Sequence, residues 1–229
     1  MTTTSDIVHW VPGETCVNAR WEEAYLRFET RAQEKAKFRQ RFRRMGVDAW
    51  PREGRVVELF CGNGAGLEVL HEMGFQDLAG VDLSPTLLAS HHLPAGRFVG
   101  DCRQLAFPDA SVAAFTVQGG VHHLPDVRRD VPQVFREVAR CLQPEGRFLL
   151  VEPWNTPFLR FVRALCAQTW LRRLWPRLDA LAIMIEEEQV TYDAWLAEPG
   201  YIRESFAQHF AVEREMTAMG HWKVIGRKR

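Results

Sequence analysis

The sequence predicts an α/β fold: a doubly wound, mostly parallel sheet of seven strands that ends in an antiparallel hairpin. Short apolar runs alternate with helical patterns between residues 55 and 152, as parallel strands joined by crossover helices do. A glycine-rich turn follows the first run, and two strand-like runs flank a glycine near the C-terminus. The chain of 229 residues is long enough for one such domain with helical additions.

Seven segments are predicted as strands, because each is a short run of mainly apolar residues. They are Arg55–Phe60, Leu78–Val81, Arg97–Val99, Ala113–Val117, Arg147–Val151, Phe210–Thr217 and His221–Arg227. We expect the first five to be parallel and the last two to form the hairpin around Gly220.

The other segments divide the single domain into parts. A charged helical pattern predicts an N-terminal helical cap within residues 1–50, ahead of the core at 55–152. Residues 153–209 are helical and dense in tryptophan and arginine, and we interpret them as a lid inserted before the hairpin at 210–229. These residues could instead be ordinary core and surface, and membrane contact through a basic amphipathic helix is the least favoured alternative. We interpret Glu186–Glu188 as a solvated helix face.

Composition excludes several classes of function. The 29 basic residues balance 29 acidic ones, so we expect no nucleic-acid partner, because proteins that bind phosphate backbones usually carry a basic excess. The five cysteines form no CxxC pair, so we expect neither a disulfide framework nor a metal site. We find no apolar leader and no run long enough to span a membrane, and we expect a cytoplasmic location.

The run Val56–Gly66 carries the clearest chemical signal, because an apolar strand leads into a glycine-rich turn and then a helix. Gly62 and Gly64 would let backbone N–H groups approach a ligand closely. A nicotinamide-dependent oxidoreductase is one alternative, but its fingerprint requires a third small residue where this chain has Leu67. A tight turn without any ligand is another.

Three carboxylates follow predicted strands at or near their carboxyl ends, namely Glu58, Asp82 and Asp101. The carboxyl ends of parallel strands meet at one edge of the sheet, where open α/β sheets bind their ligands. An acidic rim would repel a pyrophosphate and attract a cation such as a sulfonium.

Together these motifs resemble the class I S-adenosylmethionine-dependent methyltransferases, in particular their small-molecule group of sugar and natural-product O-methyltransferases. The matching segments are Val57–Gly64, Asp82–Ser84, Gly100–Cys102, Leu105–Asp109, Val121–Asp126 and Leu142–Gly146. The resemblance covers about residues 55–152 and implies a Rossmann-like fold with S-adenosyl-L-methionine as cofactor. Phe60 and Glu145 depart from the pattern, since the family usually has glycine at both positions.

The resemblance also implies which residues bind the cofactor. They are Glu58, Gly62, Gly64, Asp82, Leu83, Asp101, Cys102, Gln118 and Gly119. Glu58 would organise the methionine end, Asp82 would accept hydrogen bonds from the ribose hydroxyls, and Asp101 would accept from the adenine amino group. Any one of these acids could instead be a helix cap or a solvated loop end.

His122 and His123 follow the fourth predicted strand, beside the expected position of the transferred methyl group. A neutral imidazole can accept a hydroxyl proton as methyl transfer proceeds. We predict His123 as the general base, with His122 as the fallback, and Glu152 as the carboxylate that orients His123. A structural role for the histidines is the alternative.

The leading prediction is an enzyme that methylates a hydroxyl group of a small-molecule acceptor, with the oligomeric state left open. The alternatives are an N- or C-methyltransferase, the nicotinamide oxidoreductase, and a non-catalytic cofactor-binding subunit that supports a partner.

Overall fold

A sheet of eight strands organises the part of the chain described by the computed structural model, which is residues 7–10, 18–91 and 93–229. The strands are β1 (Ile7–His9), β2 (Arg55–Leu59), β3 (Leu78–Asp82), β4 (Gly96–Val99), β5 (Val112–Gln118), β6 (Leu142–Pro153), β7 (Phe210–Ala218) and β8 (His221–Lys228). Their order across the sheet is β1-β4-β3-β2-β5-β6-β8-β7. Neighbours from β1 to β6 are parallel, whereas β8 runs antiparallel to both β6 and β7.

The predicted α/β fold with its C-terminal antiparallel hairpin is confirmed, but the predicted count of seven strands is wrong. The additional strand, β1, pairs in parallel with β4 at the edge of the sheet. It has only three residues, two of them exposed, so it lacks the apolar run by which the other strands were predicted. β6 also begins before the predicted Arg147, because the chain from Leu142 is already paired with β5 across a register shift.

The helices cover both faces of this sheet. They are α1 (Ala19–Phe28), α2 (Arg31–Met45), α3 (Ala65–Glu72), α4 (Pro85–Ala89), α5 (Val127–Cys141), α6 (Pro157–Cys166), α7 (Thr169–Leu174), α8 (Pro176–Glu187), α9 (Gln189–Ala197) and α10 (Pro199–His209). Short 3-10 turns lie at Val47–Ala49 and Val121–His123. Among the described residues, no helix combines the length and the apolar character needed to cross a membrane.

Local capping explains where the helices at the sheet edge begin. The Ser84 hydroxyl accepts a hydrogen bond from the Leu87 N–H, and Pro85 occupies the first helical position, where a missing N–H costs nothing. α2 begins at a capping box formed by Thr30 and Gln33. These caps fix the residues at which α4 and α2 begin, and the Ser84 cap also fixes the end of the loop after β3.

Two apolar cores lie on opposite faces of the sheet. On one face, α2 and α3 pack against β2, β6 and β8, and Phe42 and Leu67 are fully buried there. On the other face, α5 and α10 pack against β5, β6 and β8, with Phe135 and Phe206 at the centre. The packed sheet brings the loops after β2, β3, β4, β5 and β6 to one edge, and these loops carry the candidate site.

Candidate functional site

The glycine-rich turn after β2 retains the left-handed conformations that glycine favours. Gly62 and Gly64 have φ values of 50° and 81°. Phe60 and Glu145, the residues that depart from the family pattern, also have positive φ, at 55° and 66°. The backbone conformation is therefore preserved at both positions, at a cost of roughly 1–2 kcal/mol for a residue with a Cβ atom.

The Phe60 ring also restricts which residue can occupy position 120, in the loop after β5. Any side chain at Gly120 would overlap this ring. Gly120 is thus required by Phe60, and the aromatic ring lies between the glycine-rich turn and the turn that carries His123, with ring centroids of Phe60 and His123 6.4 Å apart. Phe60 forms one wall of the crevice between these two loops.

Glu58 is the most unusual carboxylate of the site. Its side chain is 2% exposed, and among the described residues neither carboxylate oxygen makes a hydrogen bond. Burial and the nearby charge of Glu34 raise its pKa well above the ordinary value, although the Leu67 backbone N–H opposes the shift. A buried carboxylate with so few donors is costly, and a cationic amino group of a ligand would supply a further partner. This unpaired carboxylate is the feature that fits the methionine end of the cofactor.

Gly66 in α3 leaves room for this carboxylate, since a methyl group at Gly66 would overlap both Glu58 oxygens. Alanine usually stabilises a helix relative to glycine by about 1 kcal/mol, but overpacking a buried site costs about 1–3 kcal/mol. We therefore expect Gly66→Ala to lower the free energy of unfolding, as measured by urea denaturation. Gly200→Ala in α10 is the control, because nothing lies within 4 Å there and the substitution should be neutral or stabilising. A stabilised Gly66→Ala protein would contradict the packing described.

Asp82, at the end of β3, holds the glycine-rich turn against the sheet. Its two oxygens accept hydrogen bonds from the Gly62 N–H at 2.8 Å and the Ser84 N–H at 2.9 Å. Burial raises its pKa, and these backbone donors oppose that shift. Leu83, beside it, is partly exposed at the edge of the sheet, so an apolar surface lies next to the Asp82 carboxylate.

Asp101 follows β4, but its own chain already provides it with a cation. Arg103 Nη2 lies 2.6 Å from Oδ2, and Arg103 Nε lies 3.0 Å from both oxygens. Burial alone would raise the pKa of Asp101, but the Arg103 guanidinium outweighs it and holds the pKa below its ordinary value. The neighbouring Cys102 thiol is buried. Arg103 was missed in the sequence, where its spacing of two residues from Asp101 was the available signal.

The end of β5 brings Gln118 and Gly119 to the same crevice. The Gln118 side-chain oxygen Oε1 accepts a hydrogen bond from Arg41 Nη1 at 3.3 Å, so α2 reaches the end of the sheet. Gly119 has a φ of 97°, which turns the chain toward His122 and His123. Both residues therefore lie at the carboxyl edge of the sheet, next to the turn that carries the two histidines.

The N-terminal helices cover the glycine-rich turn. Arg31, at the start of α2, donates to the Asn63 carbonyl at 3.0 Å and pairs with Glu68 at 2.6 Å. The Tyr25 hydroxyl donates to Glu34 at 2.8 Å, and its ring lies over Gly62. A cavity of about 280 Å³ opens here between α1, α2 and the turn.

Glu152 lies at the end of β6 and is completely buried. Its Oε1 accepts hydrogen bonds from the Gly120 N–H at 2.9 Å and the Val121 N–H at 2.8 Å, and its Oε2 lies 2.6 Å from His122 Nδ1. The predicted pairing of Glu152 with His123 is therefore wrong. The 3-10 turn at Val121–His123 brings the His122 ring rather than the His123 ring to Glu152, and this turn has no sequence signature.

Glu188, between α8 and α9, is the partner that His123 has instead. Its Oε2 lies 3.2 Å from His123 Nδ1 and 3.1 Å from His122 Nε2, while Oε1 accepts a hydrogen bond from the Trp21 indole. The side chain is 10% exposed. The interpretation of Glu186–Glu188 as a solvated face is thus wrong for Glu188, which the sequence does not distinguish from its two neighbours.

These contacts give the two histidines different charges. Burial alone would lower the pKa of His122, but the carboxylates of Glu152 and Glu188 outweigh it and raise the pKa to about 9. Withdrawal from water and the charge of His122 lower the pKa of His123 to about 4. At neutral pH the cluster therefore holds one imidazolium and one neutral imidazole.

The ligand atoms of His122, His123 and Glu188 lie within 4.8 Å of one another, close enough in space for a metal ion. Within the cluster, Glu188 Oε2 faces His122 Nε2 and His123 Nδ1, and the second His122 nitrogen faces Glu152. Its arrangement suits proton transfer at a crevice.

Comparison with known proteins agrees with this geometry. Residues 57–150 match the family described as a methyltransferase domain. An uncharacterized methyltransferase, YcgJ, of Bacillus subtilis is 47% identical over 53 residues, which are 23% of this chain and 19% of that protein. A demethylmenaquinone methyltransferase of Thermotoga maritima is 33% identical over 124 residues, 51% of this chain and 52% of that protein. The chain thus spans about half of the second relative and less of the first.

Among solved structures, the PH0226 protein from Pyrococcus horikoshii OT3 has the same fold, with a TM-score of 0.66 at 17% identity over 93% of this chain and all of that one. The nicotinamide alternative has no support in these comparisons or in the site. Residues 57–150 thus match a methyltransferase domain within a Rossmann-like methyltransferase fold, and S-adenosyl-L-methionine is the cofactor that this match supports.

Proposed function

We propose that this chain transfers the methyl group of S-adenosyl-L-methionine to a hydroxyl group of a small molecule, with His123 as the general base. The observation that carries the proposal is the pair of adjacent imidazoles, in which both nitrogens of His122 face carboxylates while His123 faces one through Nδ1 alone. These contacts raise the pKa of His122 and leave the pKa of His123 lowered by burial. Only a neutral imidazole can accept a proton.

The bound cofactor supplies a methyl group that its sulfonium has already activated, so the residues of this chain contribute mainly alignment and proton transfer. Glu58 would hold the amino group at the methionine end of the cofactor, which would supply a donor to its buried oxygens. Asp82 would accept hydrogen bonds from the ribose hydroxyls, and its backbone contacts keep the carboxylate in place.

His123 Nε2 makes no hydrogen bond to any residue that the structure describes, so it is available to accept the acceptor's hydroxyl proton. His123 Nδ1 faces Glu188 Oε2 at 3.2 Å, and this carboxylate stabilises the imidazolium that forms. His122 is already protonated and cannot serve as the base; its contacts with Glu152 and Glu188 position Glu188 instead.

α1 and α2 act in this proposal as a cap, and residues 153–209 as a lid, over the crevice. α1 packs against α8, the Trp21 indole donates to Glu188, and Asn18 donates to Glu187 at 3.0 Å. A closed lid would exclude water from the reacting atoms. The acceptor can be sought by incubating the protein with labelled cofactor and metabolite extracts.

Asp82→Ala tests the cofactor site. We expect weaker binding of S-adenosyl-L-methionine by about 1.5–3 kcal/mol for each charge-assisted hydrogen bond lost, measured by calorimetry. Asp77→Ala, at the opposite end of the same strand and exposed, is the matched control and should bind normally. A folded Asp82→Ala protein with an unchanged dissociation constant would exclude this carboxylate from the site.

A further inference from the structure

Residues 154–178 differ in charge from the rest of the chain. This segment contains five arginines and no aspartate or glutamate, whereas the whole chain has equal numbers of basic and acidic residues. Phenylalanine and tryptophan are interspersed with the arginines. A basic segment with interspersed aromatic residues is typical of helices that lie at a membrane surface.

α6 and α7 form this segment and pack on α8 through a small apolar cluster that is separate from the two cores of the sheet. Their inner faces contribute residues such as Cys166, Val162 and Leu171 to this cluster. The opposite faces therefore point away from α8 and into solvent.

Large apolar side chains cover these outer faces. Phe161 is 60% exposed, Trp170 59% and Leu174 76%, and Phe158 and Trp175 are also exposed. Trp170, Arg173 and Leu174 are spaced three and four residues apart, so they share one face of α7. We call the side chains of Phe158, Arg160, Phe161, Trp170, Arg173, Leu174 and Trp175 the α6–α7 surface.

The arginines of the segment fall into two groups. Three of them form ion pairs within this chain. Arg163 pairs with Asp193, and Arg177 pairs with Glu29. Arg172 pairs with both Asp179 and Glu186. Arg160 and Arg173 are exposed, and their guanidinium groups make no ion pair or hydrogen bond with the residues described here. Two guanidinium groups therefore stand beside exposed aromatic rings with no anion of their own.

We propose that the α6–α7 surface docks on a membrane that contains anionic phospholipid. Tryptophan and phenylalanine side chains lie favourably at the level of the headgroups, and arginines attract anionic phosphates. A symmetric second copy is a poorer partner, because residues 154–178 offer no carboxylate to oppose Arg160 and Arg173. α6 and α7, with 10 and 6 residues, are too short to cross a bilayer, so the contact is peripheral.

The proposal is independent of the chemistry at His123 and is tested with vesicles. The full chain is floated with vesicles of phosphatidylcholine alone or of phosphatidylcholine with phosphatidylglycerol. We expect binding to the anionic vesicles only, weakening as salt is added. Absence of binding to anionic vesicles at low salt would overturn the proposal.

Variants assign the binding to the surface. Arg160→Gln/Arg173→Gln should reduce affinity for anionic vesicles by about 30-fold, since each arginine near an anionic surface contributes about a fivefold factor. Phe161→Ser/Trp170→Ser should also lose binding. The control is the double variant Arg43→Glu/Val212→Ser. It changes two exposed residues, one on α2 and one in β7, and it should bind as the wild type does.

Two further measurements make the outcome decisive. Calorimetry with S-adenosyl-L-methionine should give the same affinity for every variant, which establishes that each one is folded. Light scattering should show no change of mass with concentration. Vesicle binding that persists in both surface variants would exclude the α6–α7 surface, and self-association abolished by the same substitutions would assign it to a second copy instead.

Discussion

Replacing His123 by alanine is expected to lower kcat by about 10²–10⁴-fold, the usual contribution of a positioned general base, with little change in affinity for S-adenosyl-L-methionine. The expectation follows from the neutral His123 ring and its free Nε2 at the crevice. The measurement combines steady-state rates with one competent acceptor and calorimetry with the cofactor. His71→Ala, an exposed histidine of α3, is the control and should leave both quantities unchanged.

The pH profile separates His123 from its neighbour. With the pKa of His123 lowered to about 4, the wild-type rate should rise with pH through that value and stay level across neutral pH. A base at His122 would instead require pH above about 9, where that ring loses its proton. If His123→Ala keeps a near-wild-type rate, the enzyme works by alignment alone, and an amine or an already acidic group becomes the better acceptor.

Glu188→Gln and Glu152→Gln should affect the rate to different extents. Glu188 directly contacts His123, so its amide variant removes the charge that stabilises the imidazolium. Glu152 contacts His122 and the backbone of the turn, and its effect on the rate should be smaller than that of Glu188. The reverse order would favour the Glu152–His123 pairing expected from the sequence.

The sheet could be predicted because its central strands are buried on both faces and appear as apolar runs. Parallel strands also place their following residues at one edge, and this rule alone brings Glu58 and Asp82 together. β1 could not be predicted in this way, since an edge strand of three residues buries too little apolar surface to impose a pattern. The buried strands are therefore predictable from their apolar pattern, and β1 is not, because it lies at the exposed edge of the sheet.

The histidine cluster could be predicted only in part, because its partners are distant in the sequence. Glu188 lies 66 residues from His122, and one of three consecutive glutamates reaches it through the packing of α8 and α9. Arg103 likewise changes the role of Asp101 by a local contact that the family pattern does not contain. Whether Glu188 reaches the histidines and whether Arg103 reaches Asp101 both depend on where these side chains point. The sequence does not give that direction, because the fold around each turn and helix junction sets it.

Replacing Glu152 by alanine is expected to cost about 3–5 kcal/mol of unfolding free energy, the range for removing one member of a buried charged pair. The variant leaves the His122 imidazolium without its nearest carboxylate and the N–H groups of Gly120 and Val121 without an acceptor. Urea denaturation measures the effect. Glu213→Ala, which removes a partly exposed ion pair with Arg147, is the control and should cost about 0–1 kcal/mol.

The dependence of stability on pH tests whether the charge of His122 is the reason that Glu152→Ala destabilises the protein. The pKa of His122 is raised from 6.5 to about 9 on folding, so its contribution to stability is complete below pH 6.5 and disappears as pH rises through 9. Between these values the unfolding free energy of the wild type should fall by up to about 1.4 kcal/mol for each pH unit. Glu152→Ala should flatten this slope. Glu152→Gln keeps an acceptor for the turn and should lose the slope with a smaller loss of stability. A wild type without this slope would mean that His122 is neutral in the folded protein, and an unchanged slope in both variants would mean that the Glu152–His122 pair does not cause it.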